Sequence, residues 1–162
     1  MRRQKTIFIT KAAIIASLYV VLTAISALFG LDKGAIQLRL SETLCFLPFL
    51  TPAAIPGLTV GCALSSLLFA ANIFDIIFGS LATLIGAIIT FSLRKKSIYV
   101  AVIPPILSNT VIIPFVLKYA YGIHGMIPYF ALTVFIGEFI CCGIFGVLLL
   151  KALPKRVIDS LK

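Results

Sequence analysis

The chain has 162 residues, of which 61% are hydrophobic, and its formal net charge is +9. This length leaves room for one compact bundle, and the apolar runs leave no segment long enough for a soluble domain, so we predict a single transmembrane domain over residues 1–162. The charge does not predict a nucleic-acid partner, because 11 of the 14 basic residues lie in three short clusters of the kind that orients membrane helices. The clusters are Arg2, Arg3, Lys5 and Lys11; Arg94, Lys95 and Lys96; and Lys151, Lys155, Arg156 and Lys162.

The first apolar run, about Thr6–Phe29, contains one charge and is long enough to cross a hydrocarbon core of about 30 Å. It is too long for a removed signal peptide and lacks a small-residue cleavage site, so we predict a permanent first span with its N-terminus inside. Small residues recur along one stripe and would let another helix approach closely, either from the same bundle or from a partner protein. The stripe consists of Ala12, Ala16 and Ala24, with Val20 in the remaining place.

A polar loop, Gly30–Glu42, follows the first span and is predicted to lie outside. The uncharged run after it is too long for one straight helix, because Thr43–Ala70 would extend to roughly 42 Å. Prolines and a glycine at residues 52–57 break this run, and we predict a hairpin of two short helices, about Glu42–Leu50 and Ala54–Ala71. Such a hairpin need not cross the whole membrane if protein covers it.

Three further spans complete the prediction, at about Ile73–Leu93, Ile98–Tyr119 and Met126–Leu153, with the basic loop Arg94–Lys96 inside. The expected fold is therefore an all-α polytopic membrane protein, a bundle of six transmembrane helices with both termini inside. Small residues spaced by four recur in the third and fourth helices and predict close internal packing there. They are Gly57, Gly61 and Ser65 in one helix and Ala82, Gly86 and Thr90 in the other.

Polar groups inside the spans are the main indicators of function, because burying them in a membrane is costly. Glu138 lies about twelve residues into the last span and Asn109 near the middle of the fifth, and each is either a ligand contact or an internally paired structural group. Further candidates lie on the predicted outer side and, with these two, indicate an outward-opening pocket for a small, flat, hydrogen-bonding ligand. The outer candidates are Gln37, Arg39 and Glu42 in the loop and Asn72, Phe74 and Asp75 before the fourth helix.

Two of these outer assignments have structural alternatives. Arg39 and Glu42 either pair with each other at the surface, which would contribute little stability, or belong to a loop folded over the pocket mouth. Asp75 is either a ligand contact or only a favourable negative charge at a helix N-terminus.

The sequence has no recognisable catalytic centre, and we predict that the chain is not an enzyme. His124 is the only histidine, there is no HExxH motif, and none of the four cysteines has metal-ligand spacing. We therefore predict no catalytic residue and no metal, and we interpret the cysteines as small packing residues.

Three segments resemble the QueT family of proposed queuosine-precursor transporters: Ile36–Glu42, Ala54–Leu58 and Asn72–Leu84. QueT proteins are similar to the substrate-binding S components of energy-coupling factor transporters, which have six helices with both ends inside. The resemblance implies an S component in a bacterial plasma membrane that captures a 7-deazaguanine, queuine or one of its precursors, from outside. It also implies a membrane scaffold subunit and two ATPases as partners. ATP would be used by those ATPases, since this chain has no P-loop motif and is expected to bind no cofactor.

The resemblance also implies residue roles. Ala12, Ala16 and Val20 are similar to the Ala-x-x-x-Ala element with which S components contact the scaffold. The alternative is a stand-alone secondary transporter, but the proline-broken hairpin has no evident counterpart in the second half of the chain, as an inverted repeat would require.

The polar groups suit the implied ligand. The edge of a guanine-like base offers two neighbouring N–H donors, which a carboxylate such as Glu138 can accept. Asn109 or Gln37 could bind the ring carbonyl, and Phe74 or a tyrosine could stack on the ring face. An aminomethyl cation on the ligand would favour Asp75 or Glu42 as its partner.

Overall fold

The computed structural model describes residues 2–31, 38–70, 72–122 and 124–161, and regular structure in these ranges is entirely helical. The all-helical prediction is therefore confirmed. The segments are α1 (Arg2–Leu28), a 3₁₀ helix (Leu40–Phe49), α2 (Ala54–Ser65, extended by a π-helical turn, Ser66–Ala70), α3 (Asp75–Ser92), α4 (Ile98–Ala120), α5 (Ile127–Ala152) and α6 (Lys155–Leu161).

The helix bounds agree with the sequence prediction to within four residues, including both arms of the predicted hairpin. Among the described residues, α1, α3, α4 and α5 are long and apolar enough to cross a membrane, whereas the 3₁₀ helix and α2 are shorter. The described ranges contain seven helical segments and not six, because the tail forms α6. Leu153 is extended, as expected before Pro154, and this break separates α6 from α5.

The 3₁₀ helix lies at the centre of the bundle, where it packs against α1, α3 and α5. Ten residues in this conformation extend only about 20 Å, less than the hydrocarbon thickness of about 30 Å. Its apolar side chains join the main core with Ile15 and Leu58, and Phe46 is completely buried. Such irregular backbone is stable at membrane depth because protein surrounds it.

Glycines bring neighbouring helices into close contact. A Cβ at Gly57 would lie 2.8 Å from the carbonyl oxygen of Ala12, and a Cβ at Gly61 would lie 2.8 Å from the Cβ of Tyr19, so α2 packs directly on α1. A Cβ at Gly86 of α3 would lie 2.7 Å from the Cα of Pro105 in α4, so these two helices also pack closely. These contacts confirm the predicted internal packing of the third and fourth helices.

The two ends of the bundle differ in character. At one end, the Lys11 ammonium donates to the carbonyl of Leu161 at 3.1 Å, and Lys151 donates to the hydroxyl of Tyr99 at 2.8 Å. This end gathers α6, Lys11 and Lys151. At the opposite end, Asn72 donates to the last carbonyl of α4 at 3.4 Å, and Arg39 forms an ion pair with Asp75.

Candidate functional site

Buried polar side chains from five elements meet in the core between α1, the 3₁₀ helix, α3, α4 and α5. They include three of the five acidic residues, Glu42, Asp75 and Glu138, each no more than 8% exposed. Tyr19 and Asn109 are buried beside them. Because each buried carboxyl group needs partners to offset its desolvation, their hydrogen bonds separate structural from functional roles.

Glu138 is only partly satisfied. The Asn109 side-chain N–H donates to Glu138 Oε1 at 2.8 Å, which joins α4 to α5. Glu138 Oε2 is buried and has no hydrogen-bond partner among the described residues. Immediately after Glu138 the helix widens into a π-helical segment, Phe139–Gly146, a feature that is frequent at functional sites.

Glu42 differs from Glu138 because both of its oxygens have donors. The Tyr19 hydroxyl donates to Oε1, and the Cys45 thiol donates to Oε2 at 2.8 Å. This arrangement ties α1 to the 3₁₀ helix and fixes the carboxylate in place.

Arg39 pairs with Asp75, at 3.4 Å between Nη2 and Oδ2, and not with Glu42 as one sequence interpretation had it. The reason is local geometry: Glu42 lies in the first turn of the 3₁₀ helix, and its side chain turns into the core toward Tyr19. Burial disfavours charge on Arg39, but Asp75 and weaker electrostatic contributions from other neighbouring groups together outweigh it, so the pKa of the guanidinium is raised and the side chain stays charged.

Two small cavities lie on either side of Arg39. The first, about 20 Å³, is lined by Arg39, Glu42, Thr83, Asn109 and Glu138 together with apolar side chains, and we call it the carboxyl cavity. The second, about 40 Å³, is lined by Arg39, Asp75 and several hydroxyl groups, and we call it the hydroxyl cavity. Arg39 is therefore the wall that the two cavities share.

Two predicted site residues, Phe74 and Asn72, do not join this cluster. Phe74 is 50% exposed, stacks on Phe78 with ring centres 6.4 Å apart, and lines an apolar groove between α3 and α4. Asn72 accepts a hydrogen bond from the Phe74 backbone N–H at 3.0 Å and caps the end of α4, which is a structural role. Gln37 lies outside the described residues.

Sequence reasoning missed Tyr19, Cys45 and Thr83. Tyr19 carries a signal that could have identified it, because it is the only tyrosine of the first span and a buried phenol normally has a hydrogen-bond partner. Cys45 lies three residues after Glu42, one turn of a 3₁₀ helix, but a 3₁₀ helix is not evident from the sequence.

The stripe on α1 has an internal partner. Ala16 is 8% exposed and packs against Gly61, and the Ala12 carbonyl lies against Gly57. Ala12 and Val20 are half-buried and keep part of their surface outside the bundle. The assignment of this stripe to a scaffold contact stays a prediction.

Comparison with known proteins gives one family and one curated relative. The family model described as "QueT transporter" matches residues 9–155. The chain is 40% identical over 85 residues to "Queuosine precursor transporter QueT" of Lactococcus lactis subsp. cremoris (strain MG1363). That alignment covers 52% of this chain and 50% of the relative, so the chain matches about half the relative's length. No solved structure matches.

Proposed function

The chain belongs to the QueT transporter family, and from this premise we propose that it is the substrate-binding subunit of an energy-coupling factor importer for a 7-deazaguanine queuosine precursor. The observation that carries the proposal is the carboxyl cavity. There a buried carboxyl group, Glu138, is held by Asn109 through one oxygen while the other oxygen has no partner among the described residues.

The chemistry of this cavity matches one edge of the ligand. A guanine-like base presents a ring N–H and an exocyclic amino group side by side, and the open oxygen of Glu138 can accept from that edge. Arg39 also lines this cavity. An enclosed carboxylate favours a ligand rich in donors, because few other groups could satisfy it in the membrane.

Binding requires the cavity to expand. Small-molecule pockets usually measure roughly 300–1,000 Å³, and the carboxyl cavity measures about 20 Å³. The Arg39–Asp75 pair lies at the end of the bundle opposite Lys11 and Lys151. Its N···O distance is 3.4 Å, whereas a charge-assisted hydrogen bond usually measures about 2.7–2.9 Å. We propose that separation of this pair opens the site.

Charge distribution supports an orientation. The end that gathers Lys11, Lys151 and α6 is basic, so the positive-inside tendency places it, with both termini, in the cytoplasm of a bacterial cell. In this orientation six helices lie within the bilayer, α6 lies at the cytoplasmic surface, and Arg39 and Asp75 face the exterior.

Energy for uptake would come from partner subunits. In this proposal the chain performs no catalysis; two ATPases hydrolyse ATP, and a membrane scaffold contacts α1. Because α2 occupies the Ala16 side of the stripe, the half-buried edge formed by Ala12 and Val20 is the part available to the scaffold.

Titration calorimetry with queuine on the purified protein tests the proposal. Glu138→Gln should weaken binding roughly tenfold to hundredfold, because it removes a charge-assisted hydrogen bond and keeps the shape of the side chain. Thr90→Val is the matched control: it removes a buried hydroxyl, bonded to the Ala101 carbonyl at 2.8 Å, that does not line either cavity. The control should lose some stability but keep its affinity.

Unchanged affinity in Glu138→Gln would exclude the carboxyl cavity as the binding site. Copurification distinguishes the transport mechanisms: a substrate-binding subunit should carry a membrane scaffold and two ATPases with it. Uptake by the isolated chain, driven by an ion gradient alone, would instead establish a stand-alone secondary transporter.

A further inference from the structure

The hydroxyl cavity is lined mainly by side-chain hydroxyl groups. Besides Arg39 and Asp75, its lining includes the hydroxyl groups of Tyr19, Thr23, Ser26, Ser41, Ser65 and Ser66. Ser and Thr are common where membrane helices pack closely, but each buried hydroxyl group there needs a hydrogen-bond partner.

Three of these six hydroxyl groups, those of Thr23, Ser26 and Ser65, donate to the backbone of their own helix. Thr23 donates to the Tyr19 carbonyl at 2.9 Å, and Ser65 donates to the Cys62 carbonyl at 2.9 Å. A hydroxyl that donates once can still accept, so these groups present acceptor lone pairs to the cavity. Ser41 differs: its side chain is completely buried, and its Oγ has no hydrogen-bond partner among the described residues.

Each cavity is thus lined by a residue with one buried polar atom that has no hydrogen-bond partner within the described part of the chain: Glu138 Oε2 in the carboxyl cavity and Ser41 Oγ in the hydroxyl cavity. Arg39 lies between them and lines both. Because its side chain is 26% exposed and its contact with Asp75 is long, it can swing outward more easily than a fully buried group. Movement of Arg39 would join the two cavities into one elongated site.

We propose that the hydroxyl cavity is a second subsite, which receives a hydroxyl-bearing substituent of the ligand whose flat ring occupies the carboxyl cavity. This inference rests on the proposed function, because it takes the ring to bind at Glu138. The two subsites together line the site with three carboxyl groups and one guanidinium, so the group linking ring and substituent should be an amine cation. When Arg39 moves, that cation takes its place beside Asp75.

The ligand class that follows is a 7-deazaguanine with a protonated amine at the 7-substituent and hydroxyl groups beyond it. Queuine has this pattern, whereas the 7-aminomethyl base has the amine without the hydroxyl groups, and the 7-cyano base has neither. The expected order of affinity is therefore queuine, then the aminomethyl base, then the cyano base.

Calorimetry with these three compounds tests the subsite. Ser41→Ala should weaken queuine binding about three- to tenfold, the effect of one hydrogen bond, and leave the affinity for the aminomethyl base unchanged. This variant should fold normally, because it removes a hydroxyl that has no partner in the described structure. Ser66→Ala, in the same cavity, is a second variant with the same expected selectivity, and Thr90→Val should leave all three affinities unchanged.

The outcomes separate the two proposals. If the parent protein binds none of the three bases, the proposed function is wrong. If it binds them but Glu138→Gln leaves their affinities unchanged, the carboxyl cavity is excluded as the binding site, and the hydroxyl subsite is refuted with it. If binding depends on Glu138 but the Ser41 and Ser66 variants weaken all three bases equally, or none of them, only the hydroxyl subsite is refuted. A parent protein that prefers the cyano base would also refute it.

Discussion

Gly61 is the position where the packing of the bundle and the site are most closely connected. A Cβ at Gly61 would lie 2.8 Å from the Tyr19 Cβ, 3.0 Å from the Ala16 carbonyl oxygen and 3.1 Å from the Ala16 Cα. None of these atoms is the end of a flexible side chain, so Gly61→Ala should force α1 and α2 apart. Tyr19 carries the hydroxyl that holds Glu42, so the same displacement should disturb the carboxyl cavity.

The expected change in the free energy of unfolding is the sum of two opposing contributions. Overpacking in a close contact costs about 1–3 kcal/mol, while replacing a helical glycine by alanine gains up to about 1 kcal/mol. Gly143→Ala provides the matched control, because a Cβ there would meet only ordinary contacts, the nearest at 3.5 Å from a Phe139 ring atom. Since both glycines are helical, the difference between the two variants isolates the clash, about 1–3 kcal/mol.

Thermal unfolding of the purified variants measures this difference. For a chain of this length, 1 kcal/mol corresponds to about 2–4 °C, so Gly61→Ala should melt roughly 2–12 °C below Gly143→Ala. Queuine affinity should fall in Gly61→Ala and stay at the parent value in Gly143→Ala. Equal melting temperatures for the two variants would refute the close contact between α1 and α2.

Two further predictions concern topology and partners. The first uses cysteines introduced into a background without the four native thiols. Those at position 95 and at either terminus should be labelled only from the cytoplasm, and one at position 33 only from outside. Labelling of position 95 from outside would overturn the orientation. Ala12→Leu should leave queuine binding largely intact but lower uptake, because a bulky side chain on the half-buried edge blocks a scaffold helix. Ala16→Leu should additionally lower stability, since Ala16 packs against Gly61; normal assembly and transport by Ala12→Leu would limit the stripe to internal packing.

The helices could be predicted from sequence because their signals are local. Long apolar runs with few charges define α1, α3, α4 and α5, and the proline and glycine breakers at residues 52–57 define the hairpin. The π-helical segments have no such signal, because a shift in hydrogen-bond register requires no particular residue type. The tail helix α6 is too short and too polar to stand out from the chain.

The site could be predicted only in part. Glu138 and Asn109 were identifiable because polar residues are rare in apolar spans, and the structure joins them at 2.8 Å. The partner of Arg39 was not identifiable, since Asp75 lies 36 residues away and Glu42 only three. Choosing between these carboxylates requires knowing that Glu42 turns toward Tyr19, which is a property of the tertiary packing.

The two glutamates that line the carboxyl cavity show why hydrogen-bond satisfaction, and not burial alone, indicates function. Both are nearly completely buried, so both carry a similar desolvation cost. Glu42 recovers that cost within the fold, because Tyr19 and Cys45 supply a donor to each oxygen. Glu138 recovers only part of it, because Asn109 supplies a donor to one oxygen and the described residues supply none to the other. A purely structural carboxyl group would gain stability from a second donor, whereas one that binds a ligand must keep an oxygen available. This asymmetry favours Glu138 as the ligand contact and Glu42 as the group that shapes the wall beside it.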